Sequence, residues 1–197
     1  MMKRTLFVIC ILASACLFMP STEAALITYT ANLEGVNEVP ANTSPGTGFA
    51  KVDVDTIGKT MVVDATFSDL LGNTVASHIH APIGGLGTAP VATQTPTFIG
   101  FPLGVTAGTY YHVFDLTLAS SYNLAFLNNN GGTPALAEAA LLSYLADGTA
   151  YFNIHTNMFP GGEIRGTLTT VPEPSTLLLL GSGLLGLLGY GTRRFKK

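Results

Sequence analysis

The chain predicts a mainly β fold: an antiparallel Greek-key β-sandwich with one short inserted helix, flanked by an N-terminal signal helix and a C-terminal transmembrane helix. Three observations carry this. Apolar and polar residues alternate with a period of two through several short runs, as in strands with one buried face. Turn signals rich in Gly and Pro separate those runs. One Ala- and Leu-rich stretch breaks the pattern, with helix start and stop signals at its ends.

The elements follow in order. Lys3 and Arg4 precede an apolar run from Leu6 to Met19, and Pro20, Ser21, Thr22, Glu23 and Ala24 follow. That charged, apolar, small-residue order is a secretory signal peptide, and cleavage after Ala24 assigns it residues 1–24. Cleavage after Ala25 is the neighbouring option, and lipidation at Cys16 is the competing one. Both cysteines, Cys10 and Cys16, lie in this segment. The domain that follows, residues 25–170, therefore has no disulfide and no Cys-ligated zinc, and its core must hold it.

Ile27, Tyr29, Ala31 and Leu33 alternate with polar neighbours, as do Ala50, Val52 and Val54, and then Met61, Val63, Ala65 and Phe67. Gly58-Lys59 between the second and third runs predicts a hairpin turn. Runs at 75–80, 110–116, 150–156 and 164–169 bring the total to about seven strands, with turns at Pro45-Gly46 and Pro160-Gly161-Gly162. The connection over 81–106, with Pro90, Pro96 and Pro102, predicts a long loop with a short strand near Phe98. Thr133 as N-cap, Pro134 at the first helical position and Gly148 beyond the end predict the inserted helix.

Between residues 25 and 171 stand three cations, Lys51, Lys59 and Arg165, against ten acids, a net charge of about −7 with His neutral. That field repels nucleic acid and attracts cations, so no nucleic-acid partner is expected. The hydrolase elbow Gly-x-Ser-x-Gly and phosphate-binding Gly-rich motifs are absent between residues 25 and 171. Asp53, Asp55 and Asp64 read as solvated charges on an exposed strand face, and Glu163 and Arg165, two apart, as a structural pair on one strand face.

Residues 171–197 form a third unit. Val171-Pro172-Glu173-Pro174-Ser175 leads into an apolar stretch from Leu177 to Tyr190, closed by Arg193, Arg194, Lys196 and Lys197. The order predicts a membrane segment with a cytoplasmic basic stop. It resembles the PEP-CTERM sorting signal of Gram-negative bacteria. The resemblance implies an inner-membrane-tethered precursor, an exosortase as partner, removal of the tail, and delivery to the cell surface or the extracellular polysaccharide matrix.

The histidines are the one chemical cluster. In Val75-Ala76-Ser77-His78-Ile79-His80, strand alternation puts His78 and His80 on one face and Val75, Ser77 and Ile79 on the other. In the run 150–156, His155 emerges with Tyr151 and Asn153. If those strands are neighbours, three imidazoles converge on the polar side of a sheet. Neutral imidazoles suit Cu or Zn, with the fourth position left to water, His112 or a carboxylate, whereas Mg and Ca prefer oxygen. The other use of the same rings is to hydrogen-bond loops, His80 holding the long connection and His155 the Pro160-Gly161-Gly162 turn.

His78-Ile79-His80-Ala81-Pro82, and Tyr151 to Thr156 followed by Pro160-Gly161-Gly162-Glu163-Ile164-Arg165-Gly166, resemble the two signatures of the CHRD domain. The segment 33–40, Leu-Glu-Gly-Val-Asn-Glu-Val-Pro, fits its opening strand and turn. Ala81-Pro82 departs from the Gly that the family often has after the second His. A weaker likeness runs to Cu/Zn superoxide dismutases, in which His78, His80 and His155 would match copper ligands, but the Cys pair and the second, zinc, site have no counterpart. These likenesses imply an immunoglobulin-like or dismutase-like sandwich.

The combined expectation is an exported, exosortase-sorted surface or matrix protein with a CHRD binding domain, not an enzyme, holding one Cu or Zn ion through His78, His80 and His155. The alternatives are a secreted redox metalloenzyme and a purely structural biofilm-matrix protein.

Overall fold

The computed structural model describes residues 26–85, 87–172 and 182–183. The expected signal segment 1–24 lies outside them, as does the expected spanning segment 177–190 apart from 182–183. Among the described residues no helix is long and apolar enough to cross a membrane.

Among the described residues eight strands form: β1 (Leu26–Glu34), β2 (Thr47–Asp55), β3 (Thr60–Ser68), β4 (Thr74–His80), β5 (Gly108–Asp115), β6 (Tyr151–Thr156), β7 (Ile164–Thr167) and the two-residue β8 (Thr169–Thr170). All pairings are antiparallel, and one hydrogen-bonded sheet runs β4-β6-β7-β1-β2-β3-β5, with β8 beside β1. The mainly β expectation is met. The strands share a single curled sheet, and residues from both of its ends contribute to one core.

The sheet has two wings. In the first, β1-β2-β3-β5, alternation sorts the residues as the sequence predicts: Ala31, Ala50, Val63 and Phe114 face the core, while Lys51, Asp64 and Tyr111 lie across from one another on the other face. The β2–β3 turn comes where expected. The Asp55 carboxylate accepts from the amides of Ile57 and Gly58 at 2.9 and 2.7 Å, and Lys59 takes φ 56.

The second wing, β4-β6-β7, is buried on both faces: Tyr151, Phe152, Asn153 and Ile154 are consecutive and all buried. Gly166 joins the wings, because a Cβ there would collide with the Asn32 carbonyl of β1.

The outer edge of β4 is not left open. The long connection hydrogen-bonds along it, Ala92 and Thr93 amides to the Ile79 carbonyl and the Phe98 amide to the Ser77 carbonyl. Near Phe98 there is no strand. Phe98 is instead a fully buried plug, packed against Tyr110, Phe114 and Phe152 at ring separations of 5.8, 5.2 and 5.9 Å.

The inserted helix is α2 (Pro134–Ala146), with Thr133 as N-cap and Gly148 at φ 66 beyond it, matching the sequence signals. A preceding helix, α1 (Leu124–Asn129), is one the sequence reading did not contain. Its six residues are too few to show a period, and only Asn123, whose side chain caps Ala125 and Phe126 amides, marks its start.

Candidate metal centre

The site grows from the register of β4 and β6. Ala76 lies opposite His155, His78 opposite Asn153, and His80 opposite Tyr151. One face of this pair carries Ser77, Ile79, Phe152 and Ile154 toward the core, so the other face carries the three histidines. The nitrogens they offer lie within 4.8 Å of one another. The expected convergence of His78, His80 and His155 is present. His112 is elsewhere, on β5, in ring contact with Tyr110 and Phe114. Among the described residues no fourth His, Cys, Asp or Glu joins the group.

The loop-holding use foreseen for these rings is present, and it engages one of the two nitrogens of each ring. His78 Nε2 is 2.7 Å from the Pro96 carbonyl, His80 Nδ1 is 2.9 Å from the Ala89 carbonyl, and His155 Nδ1 is 3.0 Å from the Pro160 carbonyl. A carbonyl only accepts, so each of these nitrogens carries the proton and donates. In a neutral ring the other nitrogen is then a lone pair: His78 Nδ1, His80 Nε2 and His155 Nε2. Backbone carbonyls from the long loop and the Pro160 turn thus fix all three tautomers, the arrangement usual behind metal-binding imidazoles.

The rings are held neutral. Burial pushes the His78 imidazole down to about 4, with the Pro96 hydrogen bond resisting and His155 adding to the fall. Burial likewise takes His80 to about 4, resisted by the Ala89 bond, while the neighbouring His155, His78 and Arg165 charges push the same way. Burial lowers His155 too, against its bond to Pro160. At neutral pH three lone pairs therefore face one region. His80 Nε2 and His155 Nε2 stand 3.3 Å apart, and buried His78 Nδ1 has no hydrogen-bond partner. Two lone pairs at that distance repel. Two nitrogens each ~2.1 Å from one ion at a tetrahedral angle would be about 3.4 Å apart.

Behind the histidines is a buried polar layer that the sequence reading only partly found. The Tyr151 ring stacks on His80 at 4.9 Å and 6°, and the Arg165 guanidinium lies 4.6 Å from the ring centroid of Tyr151. The Tyr151 hydroxyl accepts from the Ala89 amide at 3.3 Å, the residue whose carbonyl takes the His80 proton. Arg165 Nε donates to the Asn37 carbonyl, and Asn37 Nδ2 returns a bond of 3.1 Å to the Arg165 carbonyl. Glu38 Oε2 is 3.7 Å from Arg165 Nε. Burial pushes the Glu38 carboxyl up to about 7, against the pull of Arg165.

Arg165 does not pair with Glu163, contrary to the i, i+2 reading. Glu163 sits before β7 begins, after Gly162 at φ 132, and its carboxylate accepts from the Ser44 and Thr156 hydroxyls and the Leu71 and Gly72 amides. Glu38 and the true role of Arg165 were missed. Arg165 is the sole Arg between residues 25 and 171, and an isolated guanidinium on a strand was the available signal.

Comparison with curated proteins and with solved structures returns no significant match. The family comparison does. The PEP-CTERM protein-sorting motif matches residues 170–194, which marks the chain for export as a membrane-associated precursor, processed by an exosortase and sorted to the cell surface. The CHRD domain matches residues 29–168, a span that holds all three converging histidines and the whole described sheet except the start of β1 and the two-residue β8, and the chain belongs to the CHRD domain family.

Proposed function

We propose that this protein is an exported binding protein whose CHRD domain holds one Cu or Zn ion through His78 Nδ1, His80 Nε2 and His155 Nε2. The observation that carries the reading is the 3.3 Å approach of two neutral lone pairs, His80 and His155, beside the unpartnered His78 nitrogen. Imidazole nitrogen suits Cu and Zn, and the absence of oxygen ligands in the group disfavours Mg and Ca. The net charge of the domain as a whole, ten acids against three cations over 25–171, favours accumulation of a cation around it.

Its working place, on this reading, is the surface or polysaccharide matrix of a Gram-negative cell. The same reading takes the curled sheet as a Greek-key sandwich, since β3 and β4 follow one another in the chain yet lie in opposite wings. The role is binding, not turnover.

Metal analysis of the chain purified without a His tag tests this. One Cu or Zn per chain is expected, and His80→Asn should abolish stoichiometric retention. Protein with no ion after dialysis against either metal at pH 7.5 would leave a purely structural matrix role. Superoxide turnover by the loaded protein would move the assignment to a redox enzyme.

A further inference from the structure

Three imidazoles leave one coordination position of a four-coordinate ion unassigned, and the charges around it point to what fills it. The three rings are neutral ligands, and the groups behind them are the backbone carbonyls of Pro96, Ala89 and Pro160, equally neutral. Among the described residues the buried carboxylates are Glu38, Glu138 and Glu163. None joins the histidine group: Glu138 is held by Lys59 at 2.9 Å and Glu163 by two hydroxyls and two amides, while Glu38 faces Arg165 at 3.7 Å with its Oε1 unpartnered. Arg165, one ring away across Tyr151, adds positive charge rather than removing it.

A divalent ion bound here would keep its full charge where His78 and His80 are only 6% and 7% exposed, an unfavourable arrangement without a counter-charge. His155 is only partly buried, so one side of the group meets solvent. We infer that the fourth ligand is a small anion taken from solution, of the class of hydroxide, azide or a simple carboxylate. The inference rests on the metal reading above and deepens it, because it makes ion and anion binding mutually reinforcing.

The test uses the full chain loaded with Co2+, whose visible absorption reports its ligands, and titrates azide at constant ionic strength. A saturable change in the Co2+ bands is expected. Azide at ten times its own dissociation constant should also tighten Co2+ retention against a chelator about elevenfold, by mass action. One Co2+ per chain with bands and retention indifferent to azide would overturn the anion and keep the metal. Failure to bind Co2+ at all would overturn both readings together.

Discussion

The two wings of the sheet use the same strand geometry for opposite ends. In β1-β2-β3-β5 one face is core and the other is water: Phe49, Tyr111 and Val113 point outward at 43%, 67% and 47% exposure. In β4-β6-β7 the face away from the core is buried as well, with Asn153 at 1% and Arg165 at 8%. A buried second face holding polar groups must satisfy each of them internally. The outer face of β4-β6-β7 meets that demand only in part: each histidine, Tyr151 and Arg165 is held by a partner, while Glu38 Oε1, His78 Nδ1 and Asn153 Oδ1 have none. The candidate site stands where the sheet hides polar groups, and the other wing presents a water-covered face instead.

The strongest way to break the second wing is at Glu163. Burial raises its carboxyl, and hydrogen bonds from Ser44 and Thr156 hydroxyls and Leu71 and Gly72 amides more than reverse that, leaving it below its ordinary value of 4.5. Glu163→Ala strands four donors at once, and urea denaturation at pH 7 should show a loss of roughly 3–4 kcal/mol. The sign with pH follows from the depressed value. The stabilisation is complete above the ordinary value of 4.5 and disappears as pH falls through the lower folded value, so the gap between wild type and variant should narrow only below about 4.5. A gap of constant size down to pH 3 would mean that the carboxylate's charge contributes nothing.

The contrast between wings also explains what could be read from the chain. The first wing was legible because water enforces a period of two. Ile27 to Leu33, Ala50 to Val54 and Met61 to Phe67 alternate as predicted, and the turn at Gly58-Lys59 falls between the last two. In the second wing the His-x-His face and the outward set Tyr151, Asn153 and His155 were also legible, since alternation holds whichever medium lies outside. Which residues cross from other segments to meet that face was not. Glu38 arrives from the turn after β1 and the Ala89 and Pro96 carbonyls from the long loop, and no local period encodes contacts separated by that much chain. The Glu163–Arg165 pairing failed for a related reason: same-face geometry holds within a paired strand, and Glu163 lies just outside β7.

A middle-sized effect is expected at Tyr151, which is not among the proposed ligands but stacks on His80 and holds Ala89. Tyr151→Leu should weaken metal retention by about 10–100-fold, the usual consequence of losing a group that orients a ligand. Tyr151→Phe keeps the stacked ring and gives up only the long hydroxyl contacts of 3.3 and 3.5 Å, so it should recover most of the affinity. Equal losses in the two variants, measured by competition with a chelator, would place the effect in the hydroxyl rather than in the ring.

Tyr111 supplies the matched control and the smallest effect. It has the same side chain on the outer face of the first wing, opposite Asp64 across the β3–β5 pair, and it is 67% exposed. Nothing on that face is buried against it, so Tyr111→Leu should change stability by no more than about 0.5 kcal/mol and leave metal retention untouched. The same substitution would then cost little on a face that water covers and much on a face that loops cover. If Tyr111→Leu instead destabilised the chain by more than about 2 kcal/mol, the first wing would have a covered outer face too, and the distinction between scaffold and site would fail at its simpler end.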